Sequence, residues 1–206
     1  DLLAALPSPK PEYSNKKLSA YEYLAHASIG EDEAHDPYHF GASLIREVEK
    51  HPHQEIGSHT FSHYYCAEDG QTVEAFSADL KAAHDALARF GADATSLVLP
   101  RNQWTEAYRD AARAAGVKCY RGNQSGVLYA ARRDSEQNLF LRALRLIDAY
   151  LPLTGHHLAS DATMASQTPF NIPASAFLRP YMPRLGAFEG LRRRRITRGM
   201  KQAARA

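Results

Sequence analysis

A chain of 206 residues, 44% hydrophobic and 23% charged, has the composition of one soluble globular domain with enough length to bury a core, which argues against a disordered, fibrous or membrane protein. Two cysteines are too few for a disulfide framework, and no run nears the roughly 18 apolar residues that a spanning helix needs. The formal charge of +2 hides an asymmetry: residues 191–206 hold seven Lys/Arg and no acid, which leaves 18 basic against 23 acidic groups elsewhere, a net of −5. In chain order, residues 1–39 hold four prolines, the acidic run Glu31-Asp32-Glu33 and scattered tyrosines, a composition expected of an irregular segment covering a folded body. Ala42–Lys50 is a short helix stopped by His51-Pro52. Glu55–Ser58 is a strand-like entry to the motif that follows it. Val73, Phe76, Leu80, Ala83, Leu87 and Phe90 recur every three or four residues, which predicts a helix over 73–90 capped by Thr72 and ended by Gly91.

Ser96–Pro100 is a buried-strand candidate, and Thr105–Ala115 a helix with Thr105 as its cap and Gly116 as its stop. Val117–Tyr120 reads as a strand and Asn138–Tyr150 as a helix. Residues 151–186 hold five prolines and form a long excursion before a last helix that starts near Phe188. Strands alternating with helices imply β-α units around a parallel sheet or barrel, in a single domain over 1–206. The chain opens on Asp1 without a leader and closes on a helical pattern without a stop signal, as a piece of a longer protein cut at both ends would.

Two groups carry chemistry. In Glu55-Ile-Gly-Ser-His59-Thr-Phe-Ser-His63 the histidines are four apart. On a helical turn both imidazoles would leave one face and reach one divalent metal. Thr60 follows the first histidine where zinc proteases place a glutamate base, so the pair can hold a metal without supplying a base. Two histidines at this spacing are also ordinary in proteins without metals. The second group, Leu99-Pro-Arg101-Asn102-Gln103-Trp104, again lies between a strand and a helix. Arg101 can hold a carboxylate bidentately, while Asn102, Gln103 and Trp104 offer amides and a flat apolar surface suited to a sugar ring. The plainer reading is a solvated turn beside a buried Trp. Cys66 offers another third ligand, although Tyr64-Tyr65-Cys66 also reads as packing, and Cys119 reads as a small core residue.

In this order the two groups resemble the polysaccharide deacetylase family, the family four carbohydrate esterases. Ser58–His63 is similar to that family's second motif, and Pro100–Trp104 to its third, with Gln103-Trp104 where the usual Pro-Tyr stands. The similarity is read from about residue 35 to the end, through Cys119–Asn123 and Asn171–Ser175. It implies a distorted (β/α) barrel, incomplete at both ends, and a hydrolase that removes N-acetyl groups from a carbohydrate. It also implies a divalent metal, zinc in most members, on His59 and His63, with Arg101 orienting a catalytic Asp. Asn102, Gln103, Trp104 and Tyr120 would line the substrate groove. No Asp pair like that of the family's first motif occurs in residues 1–58, and no Leu-x-His follows the basic helix, so the third ligand, general base and general acid are unassigned.

Two rival readings are a catalytically silent glycan binder of the same fold and a non-enzymatic interaction protein with a basic C-terminal helix. That helix reads first as a solvated face beside an acidic body, since its charges fall around most of the helix instead of forming one stripe and no aromatic platform for nucleic acid accompanies them. The alternative is contact with an acidic polysaccharide or a lipid-linked glycan. Sparse cysteines and the absence of a leader lean toward the cytoplasm, although a removed signal would leave the same chain.

Overall fold

The computed structural model describes residues 6–160, 164, 167–176 and 180–205, and divides into two compact units, 1–120 and 121–206. In the first unit, helix α1 spans Ala20–His26, α2 Ala42–Glu49, α3 Val73–Ala88 and α4 Arg109–Ala114. Strand β1 is Ser96–Leu97, and β2, Cys119–Gly122, begins there and crosses the boundary. Ser58 bridges in parallel to Leu97, and β1 runs parallel to β2 with Ser96 opposite Cys119 and Leu97 opposite Tyr120. The β-α alternation and the parallel pairing expected from the sequence are therefore present. In the second unit, α5 spans Leu139–Tyr150, β3 Phe170–Pro173 and α6 Glu189–Ala203. There Gly122, the end of β2, has β3 as its neighbour, and its carbonyl accepts from the Ala174 N–H at 3.1 Å. Among the described residues the strands do not close into a barrel, and the architecture is α/β with short parallel strands.

α3 forms where its periodicity places it. The Thr72 hydroxyl accepts from the Ala75 N–H at 3.1 Å, and the helix buries Ala75, Phe76, Leu80, Ala82 and Ala83. Ala75, Phe76 and Leu80 pack with Tyr64, Leu97, Leu99, Tyr108, Ala112, Val117 and Tyr120 into the core of the unit. Thr105 makes no side-chain cap, contrary to expectation. A 3-10 turn over Glu106–Tyr108 precedes α4, whose end is turned by Gly116 at φ +82°. The strand expected over 96–100 is cut to two residues because Pro100 opens a 3-10 turn. No helix among the described residues is long and apolar enough to cross a membrane.

The first forty residues are not wholly irregular. Ser19 caps α1 through the Glu22 N–H at 3.3 Å, and Ser19-Ala20-Tyr21-Glu22 is a capping-box sequence that the surrounding prolines masked. Tyr13 is buried, packs edge-on against Tyr64 and Tyr65, and its hydroxyl accepts the Tyr65 N–H at 2.9 Å. Tyr23 and Tyr38 stay exposed.

Gly70 holds the loop that receives this segment. Its φ is +90°, and a Cβ there would lie 2.2 Å from the Glu12 carbonyl oxygen. Gly70→Ala should therefore cost about 3 kcal/mol, combining left-handed strain with a backbone clash. Gly116→Ala, with the same sign of φ and nothing within 4 Å, should cost only about 1–2 kcal/mol of strain. Equal shifts of the two variants in denaturant midpoint would rule out the clash.

Candidate metal centre

Because Ser58, β1 and β2 run parallel, the segments that follow Ser58 and β1 leave the sheet at the same end. One segment is His59–His63 and the other Leu99–Trp104. The carboxyl end of parallel strands is where α/β folds gather their functional side chains.

The His59–His63 segment is not helical, which corrects the expected mode of convergence. Thr60 and His63 take positive φ, +67° and +57°, and the chain loops tightly between them. A β-branched residue is costly in this region, so the surroundings must hold it. The Thr60 N–H donates to Ser58 Oγ at 3.1 Å, and Thr60 Oγ1 accepts from the Tyr64 N–H at 2.7 Å. From α3, the fully buried Asp79 carboxylate accepts the Phe61 N–H at 2.8 Å, the Ser62 N–H at 3.0 Å and the Ser62 hydroxyl. Burial pushes the Asp79 carboxyl above the ordinary range, with the Ser62 and Phe61 bonds pulling it back.

This loop brings the imidazoles side by side, with ring centroids 4.8 Å apart and planes at 66°. Both residues are exposed. His59 Nδ1 lies 2.5 Å from the Val98 carbonyl oxygen. A carbonyl only accepts, so Nδ1 carries a proton and, in the neutral ring, Nε2 keeps its lone pair, as in a metal-ligating histidine oriented by a second partner. Burial holds the His63 pKa below its ordinary value, and the neighbouring His59 and Arg101 charges add to this. It favours the neutral imidazole that a metal requires. The arrangement supplies two donors to a divalent cation. Among the described residues no three His, Cys, Asp or Glu side chains are grouped to hold one, so the pair fits part of a zinc ligand set. Cys66 is buried among the core aromatics, where desolvation pushes its thiol pKa up.

The second segment is also strained, with Arg101 at φ +52° and Asn102 at +50°. The Arg101 guanidinium lies over the Tyr65 ring at 5.0 Å and beside the Glu68 carboxylate at 3.6 Å. Tyr65 in turn packs edge-on against His63, at 4.9 Å, so one aromatic ring contacts both motifs. Gln103 and Tyr120 do not line a groove. Gln103 is 0% exposed, donating to Glu68 at 3.0 Å and accepting from the Ala67 N–H at 3.2 Å, so it ties the Arg101 segment to residues 67 and 68. Tyr120 is 4% exposed and stacks on Trp104 with centroids 3.8 Å apart, behind the surface. Trp104 and Asn102 are half-buried and keep an open side. Asp79 and Glu68, both missed from sequence, fix the site's shape. Asp79 carried a readable signal: it is a carboxylate at the margin of an apolar helix face, three residues after Phe76.

The family model for polysaccharide deacetylases matches residues 15–120, just over half the chain. The matched span holds both motifs, His59, His63, Arg101 and Tyr120, and ends before Asn171–Ser175, where the sequence reading had extended the likeness. No curated protein and no solved structure matches the chain. The matched half contains the whole paired-histidine loop and the arginine loop beside it, and the chain belongs to the polysaccharide deacetylase family.

Proposed function

We propose that this chain is part of a metal-dependent carbohydrate N-deacetylase, on a (β/α) barrel of the family type to which the short parallel strands contribute. The observation that carries the reading is the His59–His63 pair: adjacent imidazoles at the carboxyl end of parallel strands, one with its tautomer set by Val98, within the family-matched span. When bound, a divalent metal such as zinc supplies Lewis-acid polarisation of an acetamido carbonyl and a bound water whose pKa is lowered to about 7. His59 and His63 would hold it through two ring nitrogens. Asp79 and Val98 keep those rings in place, and Tyr65 transmits the position of one loop to the other. Arg101 offers a fixed cation for a carboxylate near the metal. Asn102 and Trp104 offer the partly open polar and apolar surface on which a sugar ring can rest. No residue of the chain is assigned as third ligand, general base or general acid.

Elemental analysis after zinc loading should find about one zinc per chain, held weakly because two neutral donors compete poorly, and His59→Ala should remove it. Acetate release from N-acetylated oligosaccharides should be slow and should vanish in the same variant. A wild-type chain without zinc, or a variant that retains it, would overturn the assignment of the pair. Zinc binding with oligosaccharide affinity but no acetate release would favour the silent glycan binder instead.

A further inference from the structure

The basic C-terminal helix changes character once its internal partners are identified. Seven cations occupy residues 191–206. Arg195 is buried and donates to Asp148 at 3.1 Å, and Arg192 pairs with Glu189 through its Nε at 3.0 Å. Glu189 also lies 3.8 Å from Arg193. Arg192, Arg195, Ile196 and Gly199 form the less exposed side of α6, and Gly199 sits close enough to His156 that a Cβ would meet it at 3.3 Å. Arg194, Arg198, Lys201 and Arg205 remain, all exposed, spaced 4, 3 and 4 residues apart, with Arg205 in the closing turn. That spacing sets them in one stripe about 16 Å long on the side away from the packed face. No carboxylate pairs with any of the four among the described residues.

We infer that this stripe is a docking strip for an anionic polysaccharide. The inference rests on the deacetylase reading and deepens it, by giving the polymer a charge class. Like charges three and four residues apart repel along a helix. The helix dipole accommodates Lys201 and Arg205 in the last turn but not Arg194 or Arg198 further in. Covering such a face with protein would strand four charges, whereas a polyanion relieves the repulsion. Three of the four are arginines, whose planar fork matches carboxylate or sulfate groups on a glycan. The helix carries no aromatic residue on which single-stranded bases could stack. Its exposed apolar residues, Leu191 and Met200, fall on opposite sides of the stripe, so they form no wedge for a membrane surface.

The test is binding of fluorescently labelled oligogalacturonate to the full chain, in chelator, across a salt series. Affinity should fall about tenfold or more between roughly 50 and 200 mM salt. The combined variant Arg194→Gln, Arg198→Gln, Lys201→Gln, Arg205→Gln should bind at least tenfold more weakly with a flatter salt dependence, and circular dichroism should show its helices intact. Arg193→Gln, off the stripe, should change affinity by less than about twofold. His59→Ala should bind as wild type, which separates this result from that of the metal test. The inference is overturned if the combined variant binds as wild type, or if Arg193→Gln loses as much. Tighter binding to DNA or to phosphatidylserine vesicles than to the glycan would overturn it too.

Discussion

Asp79→Ala should lower the stability of the first unit by about 3–5 kcal/mol, read as a shift in denaturant midpoint at unchanged slope. The substitution removes one side chain and strands three donors, the N–H groups of Phe61 and Ser62 and the Ser62 hydroxyl. Unsatisfied buried donors cost about 1–3 kcal/mol each, and partial access of water to Phe61 keeps the sum below the maximum. Asp79→Asn should cost less, about 2 kcal/mol, because one amide oxygen still accepts while the NH2 opposes a donor. The pH dependence has a definite sign. The folded-state pKa of Asp79 is raised by burial above the unfolded value of about 3.9. Its protonation therefore contributes stability that is complete below about 3.9 and lost as pH rises through the folded value. Compared with the non-titrating Asp79→Asn, wild type should lose ground over that rise. A wild-type advantage that instead grows with pH would show that the loop's donors hold the carboxylate ionised. Zinc affinity should fall in both variants, since both loosen the turn that aligns His59 with His63.

Local pattern made part of this design legible. The period of α3 and its Thr72 cap, the parallel strand order and the placement of two polar segments after strands all follow from side-chain spacing and turn chemistry. The His59–His63 pair was visible for the same reason. How the two rings meet was not, because the helical route that four-residue spacing offers is overridden from far along the chain. Asp79 anchors the loop from α3, and Val98 orients His59 across 39 residues of separation. Gln103 and Tyr120 were misplaced for a related reason. A strand-end residue reads as surface until Glu68 and Trp104 are known to cover it. The C-terminal helix shows the converse. In sequence its charges fall around most of the helix, and only the pairing of Arg192, Arg193 and Arg195 with acids leaves the other four as a stripe.

The second large effect is expected at the seat of that helix. Arg195→Leu should destabilise the second unit by about 3–5 kcal/mol, since breaking a buried ion pair leaves an uncompensated charge. The side chains of Arg195 and Asp148 are 6% and 0% exposed. The Asp148 carboxylate also accepts from the Thr154 N–H at 2.8 Å, the Thr154 hydroxyl at 3.0 Å and the Tyr129 hydroxyl at 2.5 Å. Burial alone would raise the Asp148 pKa, but the bonds from Tyr129 and Thr154 and the Arg195 charge outweigh it, so the carboxyl stays below its ordinary value. The sign is opposite to that of Asp79: this stability is present above about 3.9 and is lost as pH falls through the folded value. Without Arg195 the carboxylate should protonate more readily. The deficit of Arg195→Leu should therefore be largest near neutral pH and shrink toward acid. Adding Asp148→Asn should recover part of the loss, because the amide carries no charge and its oxygen still accepts from the Thr154 or Tyr129 donors. A deficit that is flat across pH would mean that Arg195 acts through the packing of its aliphatic stem, and that α6 is seated by contact instead of charge.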